Sequence, residues 1–272
     1  MAKPGGVVGV FDRVADTYDT VDVPWFGPIA AGLVDELRVQ PGERVLDIGC
    51  GRGAALRPLA LATGPRGRAV GFDLSPRMVE LTARDLADLP QVTVELGDAS
   101  APQQPAGTFD AVASSLVLFF LPEPGAAVRA WSALLAPRGR LGVATFGEQD
   151  ERWRSVDELF TPYLPPALAD ARTTGARGPF ASDEGMERLL VDAGLDDVRT
   201  VRRTVEAVFR SAEHLVTFTW SHGQRAMWEH VPPDQHEEVR QAILTRAGSW
   251  ADATGGFALS QVVRYSLGVR GG

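Results

Sequence analysis

A doubly wound α/β fold on a mostly parallel sheet is predicted by three observations. Between residues 41 and 146, short apolar runs alternate with helix-length amphipathic stretches, the βαβ rhythm of a parallel sheet. The stretch Val45-Leu46-Asp47-Ile48-Gly49-Cys50-Gly51-Arg52-Gly53-Ala54 runs a buried strand into a glycine turn and then a helix, where a ligand can meet free backbone N–H groups. Two long, partly alternating stretches, 198–209 and 257–269, then bring the strands to seven.

The elements follow in order. Residues 25–37 read as a helix, preceded by the acidic and aromatic segment FDRVADTYDTVD, and together they form an N-terminal helical cap over 1–40. The ligand-binding core spans 41–147, with strands at 44–48, 68–72, 92–95, 109–114 and 139–146. Helices at 54–63, 76–88 and 124–135 connect them, and Ser75-Pro76 is an N-cap followed by proline at the first helical position. Residues 148–181 are rich in proline, arginine and aromatics without strand alternation, and read as a lid or insertion. The last part, 182–272, opens with a helix at 182–193 stopped by Gly194. It also carries two or three helices over about 211–250, between the final strands. Helices there are not required by the sheet, so they point to substrate binding.

Composition removes several functions. Of the 27 lysine and arginine residues only Lys3 is a lysine, so a P-loop lysine, a Schiff base and a Tyr-x-x-x-Lys dehydrogenase pair are excluded from the core. A net charge of −8 argues against nucleic-acid or anionic-membrane partners and leaves a small-molecule substrate. The lone Cys50 forbids an internal disulfide, no apolar run is long enough to span a bilayer, and the N-terminus lacks a signal peptide. These features read as a soluble cytoplasmic protein; they set no oligomeric state.

The acids around the glycine turn carry the chemistry. Asp47 lies on the strand end, where a carboxylate can meet a cationic group. Asp73 ends the second strand, where it can accept from two ribose hydroxyls. Gly97-Asp98-Ala99 follows the third, where an aspartate can accept from an adenine amino group. Three carboxylates describe a nucleoside with a positively charged amino-acid tail; a pyrophosphate would be repelled by Asp47.

The segments VLDIGCGRG, GFDLSPRMVE, GDA, FDAVASSLVLFFLPEP and LLAPRGRLGVATF, in that order, resemble the motifs of class I S-adenosylmethionine-dependent methyltransferases. The likeness is to the small-molecule branch of ubiquinone/menaquinone-biosynthesis and bacterial natural-product enzymes, and covers residues 10–147. It implies a Rossmann-like sheet with an antiparallel last strand, and S-adenosylmethionine as cofactor. It also implies that Gly49, Gly51 and Gly53 line the methionyl and ribose portion, with Asp47 near the ammonium and Asp73 on the ribose. Leu74 would pack near the adenine, with Asp98 and Ala99 at its edge and Ser114 and Ser115 facing the methionyl group. Tyr18 matches the aromatic that covers the sulfonium side, a catalytic position. Phe119 and Phe120 stand where many relatives carry histidine, a departure that removes a candidate base.

His214, His222, His230 and His236 all fall in the C-terminal insertion, and none pairs with other ligands at a metal spacing, so no metal site is expected. His222, within WSHGQR, is the candidate general base because imidazole titrates near neutrality; on a continuous helix it would share a face with His230. All the tryptophans except Trp131 lie outside the core, as an aromatic-lined substrate pocket would require, although packing explains some of them. Arg152, Arg154 and Arg225 are candidates for a substrate carboxylate. The resulting expectation is methyl transfer to the oxygen, carbon or nitrogen of a small, apolar or aromatic natural-product or quinone-like acceptor. The alternatives are a cyclase or isomerase binding the same cofactor, and a nicotinamide oxidoreductase.

Overall fold

The central strand β1 (Arg44–Ile48) shows how the sheet is built: Val45 and Asp47 face one side, Leu46 and Ile48 the other, and all four are buried. The computed structural model describes residues 7–165 and 177–272. It adds β2 (Arg68–Asp73), β3 (Val92–Leu96), β4 (Phe109–Ser115), β5 (Leu135–Gln149), β6 (Leu195–Phe209) and β7 (Phe257–Arg270). The order is β3-β2-β1-β4-β5-β7-β6, with β1 to β5 parallel and β7 antiparallel to both neighbours. This is the doubly wound, Rossmann-like sheet with an antiparallel last strand. The order reverses between β1 and β4, so a crevice opens beyond the C-terminal ends of these strands.

Helices cover both faces. On one, α2 (Phe26–Leu37) and α3 (Leu56–Thr63) pack Ile29, Leu33 and Leu59 against Val45, Ala111 and Tyr265. On the other, α5 (Pro124–Leu134) and α7 (Asp183–Asp192) pack Trp131, Met186 and Leu190 against Leu46, Phe72 and Val143. The short α1 (Val7–Val14) lies against α4 (Pro76–Asp85). Ser75 caps α4 as expected, accepting from Met78 N–H at 3.1 Å, and Pro76 opens it. Among the described residues no helix is long and apolar enough to cross a membrane.

Differences from the expected elements have local causes. β5 begins at Leu135, paired with Phe109, and then slips register before Arg140 pairs with Ala111; Arg138, at φ 63°, makes the bulge. The same strand runs on to Gln149, into the expected lid. That region otherwise holds α6 (Glu151–Asp157) and short 3₁₀ turns at Thr161–Tyr163 and Gly178–Ala181, while 166–176 of the lid lies outside the described residues. Between β6 and β7 stand α8 (Ala212–Ser221), α9 (Arg225–Trp228) and α10 (His236–Gly248). His222 is extended at φ −143° and Gly223 follows, so the helix breaks there and His222 and His230 share no continuous face.

One close approach fixes the seat of α2 on the sheet. Tyr265 is fully buried, its hydroxyl donates to Ile29 O at 3.0 Å, and its ring lies where a Cβ on Gly32 would stand. Gly32→Val should therefore destabilise the protein by about 1–3 kcal/mol through overpacking, read as a lower urea midpoint; an unchanged midpoint would show that Tyr265 can move aside.

Candidate active site

The turn after β1 is tied to the end of β2. Phe72 O accepts from Gly49 N–H at 2.9 Å and from Cys50 N–H at 3.0 Å, and Gly51 N–H donates to Asp73 Oδ2 at 2.9 Å. Gly49, Gly51 and Gly53 all have positive φ (69°, 48° and 81°), conformations that side chains rarely adopt. A Cβ on Gly51 would meet nothing within 4 Å: the backbone there borders open space. Asp73 Oδ1 accepts from Ser75 N–H at 2.9 Å, and burial raises its pKa despite these hydrogen bonds. Asp47 is flanked in the register by Gly71 and Ala113 and is buried, with neither oxygen in a well-formed hydrogen bond among the described residues. Burial, and next the charge of Asp73, push its pKa up to about 7.

Above the strand ends lies a cavity of about 510 Å³. One half is edged by Gly49, Gly51, Asp73, Leu74, Asp98 and Ala99, with Ser115 at the end of β4. The other half is aromatic: Phe11, Trp25, Phe26, Phe119, Phe120 and Trp153 stand on its walls. Leu116, at φ 60°, turns the chain out of β4 into the 3₁₀ turn that presents both phenylalanines. The N-terminal segment roofs the cavity because Asp12 Oδ1 accepts from Ser75 Oγ at 2.9 Å and Arg77 N–H at 3.1 Å, tying α1 to the start of α4. Arg13 pairs with Glu229 from the opposite side. Tyr18 lines the cavity, stacked on Phe26 at 4.3 Å, and burial holds its phenol well above the usual range.

His222 also lines the cavity. Its Nδ1 lies 2.6 Å from Phe218 O, a group that can only accept, so Nδ1 carries the proton and Nε2 keeps a lone pair. Burial lowers its pKa to about 4, which corrects the expectation of a titration near neutrality: the ring sits against Phe218 and Phe26, where an imidazolium would be desolvated.

The structure brings Tyr18, Gly49, Gly51, Asp73, Leu74, Asp98, Ala99, Ser115 and His222 together around one cavity. Asp47 and Gly53 lie behind the turn, not on the wall. Ser114 is not on the wall either: it is fully buried and its hydroxyl donates to Ile48 O at 3.3 Å, so it joins β4 to β1. Asp98 Oδ1 accepts from Ser100 N–H at 2.8 Å, and Ala99 O from Trp131 Nε1–H at 2.8 Å. The arginine candidates are corrected: Arg152 pairs with Asp150 and Arg225 with Glu229, and no lysine or arginine lines the cavity among the described residues. Trp25 and Trp153 do face it, whereas Trp220 and Trp228 stack on each other at 4.9 Å.

Sequence reasoning missed a polar group within the aromatic half. Asp157, at the end of α6, accepts from Gln149 Nε2 at 2.8 Å and from Gln224 Nε2 at 2.6 Å, and burial pushes it up to about 6. Gln149 and Asp157 are eight residues apart, but Gln224 joins them only through folding, so no spacing marks the group.

The lining fits a cationic nucleoside cofactor. An orphaned buried carboxylate and further acids surround a glycine cradle, and the turn's own cation, Arg52, is off the cavity wall and held by Asp85 and Ala15 O rather than free to neutralise a pyrophosphate. The methyltransferase domain family matches residues 45–139. Nocamycin O-methyltransferase of Saccharothrix syringae is 37% identical over 248 residues, 86% of this chain and 88% of that protein. Aklanonic acid methyltransferase DauC of Streptomyces sp. (strain C5) is 35% identical over 166 residues, 60% of this chain and 76% of that protein. In fold, the chain is similar to Haemonchus contortus phosphoethanolamine N-methyltransferase 2, solved with phosphomonomethylethanolamine and S-adenosylhomocysteine. That match has a TM-score of 0.60 at 14% identity, over 100% of this chain and 62% of the other. Both of these sequence relatives are named as methyltransferases, neither as an oxidoreductase nor as a cyclase. With most of an O-methyltransferase matched at this identity, the chain belongs to the S-adenosylmethionine-dependent methyltransferases.

Proposed function

We propose that this enzyme methylates an acidic oxygen (a carboxylic acid, phenol or enol) on a small, largely apolar aromatic acceptor. The acceptor half of the cavity carries the reading: its walls are aromatic, and its ionisable groups His222 and Asp157 are weak bases, at about 4 and about 6. Neither can strip a proton from an ordinary alcohol, so the nucleophile must ionise readily itself. The relatives named for nocamycin O-methylation and for aklanonic acid support oxygen and an acidic acceptor.

S-adenosylmethionine, when bound, supplies an electrophilic methyl group on a positively charged sulfur. The chain's task is then to hold, align and exclude water. Asp73 would accept from the ribose hydroxyls, Asp98 and Ala99 would meet the adenine edge, and Leu74 would pack on it. Asp47, from behind Gly49 and Gly51, would balance the ammonium. Ser115 would face the methionyl portion, and Tyr18 would close the sulfonium side. His222, neutral and fixed by Phe218 O, would offer Nε2 to the O–H of the still-protonated acceptor and orient it, the proton then leaving to solvent before the oxygen attacks the methyl group. Phe119 and Phe120 keep this half dry.

Incubation with methyl-labelled donor and a panel of aromatic acids, phenols and amines tests the reading. Label is expected in esters or aryl ethers; transfer only to amines or carbon, or a product isomeric with its substrate, would contradict it. Asp73→Ala should weaken S-adenosylhomocysteine binding by about 1–3 kcal/mol through lost charge-assisted hydrogen bonds. Unchanged affinity by calorimetry would remove Asp73 from the ribose.

A further inference from the structure

Two neighbouring segments and one distant one converge on Asp157. Gln149 ends β5, Asp157 ends α6, and Gln224 lies in the break between α8 and α9. Each carboxyl oxygen accepts one amide hydrogen, at 2.6 and 2.8 Å. A carboxylate offers about four lone-pair positions, so each oxygen keeps capacity for another donor. The clamp is itself braced: Gln149 pairs in register with Gln261, whose Nε2 shares its two hydrogens among Gly147 O, Glu148 O and Val262 O, at 3.2, 3.1 and 2.8 Å. All four residues line the cavity.

Neutral amides orient this carboxyl without cancelling its charge. It borders the same cavity as Phe146 and Met227, side chains that offer its remaining lone pairs no donor.

We propose that Asp157, clamped by Gln149 and Gln224, is the acceptor-recognition residue of this enzyme, selecting acceptors that carry a hydrogen-bond-donating hydroxyl away from the oxygen that is methylated. This rests on the acceptor class proposed above and narrows it to hydroxyl-bearing aromatic acids. An acceptor without the donor leaves the carboxyl desolvated and unmatched, and one with a second carboxylate there is repelled.

The test uses two probes: a naphthoic acid with a hydroxyl on the ring remote from its carboxylate, and the same acid with that hydroxyl methylated. Each is titrated calorimetrically, with S-adenosylhomocysteine present, into the wild-type protein and Asp157→Asn. The wild type should bind the hydroxy acid about tenfold tighter or more, as a charge-assisted hydrogen bond requires. Asp157→Asn should reduce the discrimination to about threefold or less as the charge assistance is lost, with affinity for S-adenosylhomocysteine unchanged as the control for folding. Equal binding of both acids by the wild type, a comparison needing no variant, would overturn the inference, as would full discrimination in Asp157→Asn. Binding of neither acid, with S-adenosylhomocysteine still bound, would overturn the acceptor class proposed above and this inference with it.

Discussion

A single buried charge, Asp47, organises the cofactor half of this enzyme. Its carboxylate lies at the centre of the sheet with no well-formed hydrogen bond among the described residues, and the N–H of Leu56 offsets its burial only in part. Asp73 nearby raises its pKa further, to about 7 from 3.8. Between those values the folded protein holds a proton that the unfolded chain has released. This group therefore costs stability as pH rises through that window, and the cost persists above it. A fold keeps such a liability where a bound cation offsets it, and an ammonium beside the glycine turn would do so.

The surrounding structure holds the turn where such a cation would come close. The turn reverses tightly enough only with positive φ at its glycines, and Phe72 O and Asp73 hold it to β2. Thr82 Oγ1 donates to Gly51 O at 2.6 Å, linking the turn to α4, whose start is in turn held by Asp12 of α1. Cofactor cradle and cavity roof are thus mechanically connected, and Phe11 and Tyr18 are delivered over the site by the same contacts.

Much of this was legible because it is local. Alternation located the strands of the sheet, and the glycine spacing with its flanking acids located the cradle. Strand parity could have separated Ser114 from Ser115, since neighbours on a strand face opposite ways and only one of the pair borders the cavity. What could not be read depends on burial and on contacts between distant segments. A reference imidazole titrates near neutrality, but His222 against Phe218 does not. Arg152 and Arg225 look available as a sequence and are paired once folded. The Gln149–Asp157–Gln224 cluster has no spacing signature, because Gln224 meets the neighbouring Gln149 and Asp157 only when the C-terminal insertion folds onto the end of β5 and α6.

The central claim, that Asp47 is a counter-charge completed by the cofactor, is tested most directly by proton release on binding. S-adenosylhomocysteine, whose amino group carries the same ammonium at pH about 6.5, would be titrated by calorimetry in buffers of differing ionisation enthalpy. The account requires the wild type to release a fraction of a proton as Asp47 ionises beside the ammonium, and Asp47→Asn to lose that release. Binding without proton exchange in the wild type, or the same exchange in Asp47→Asn, would contradict it.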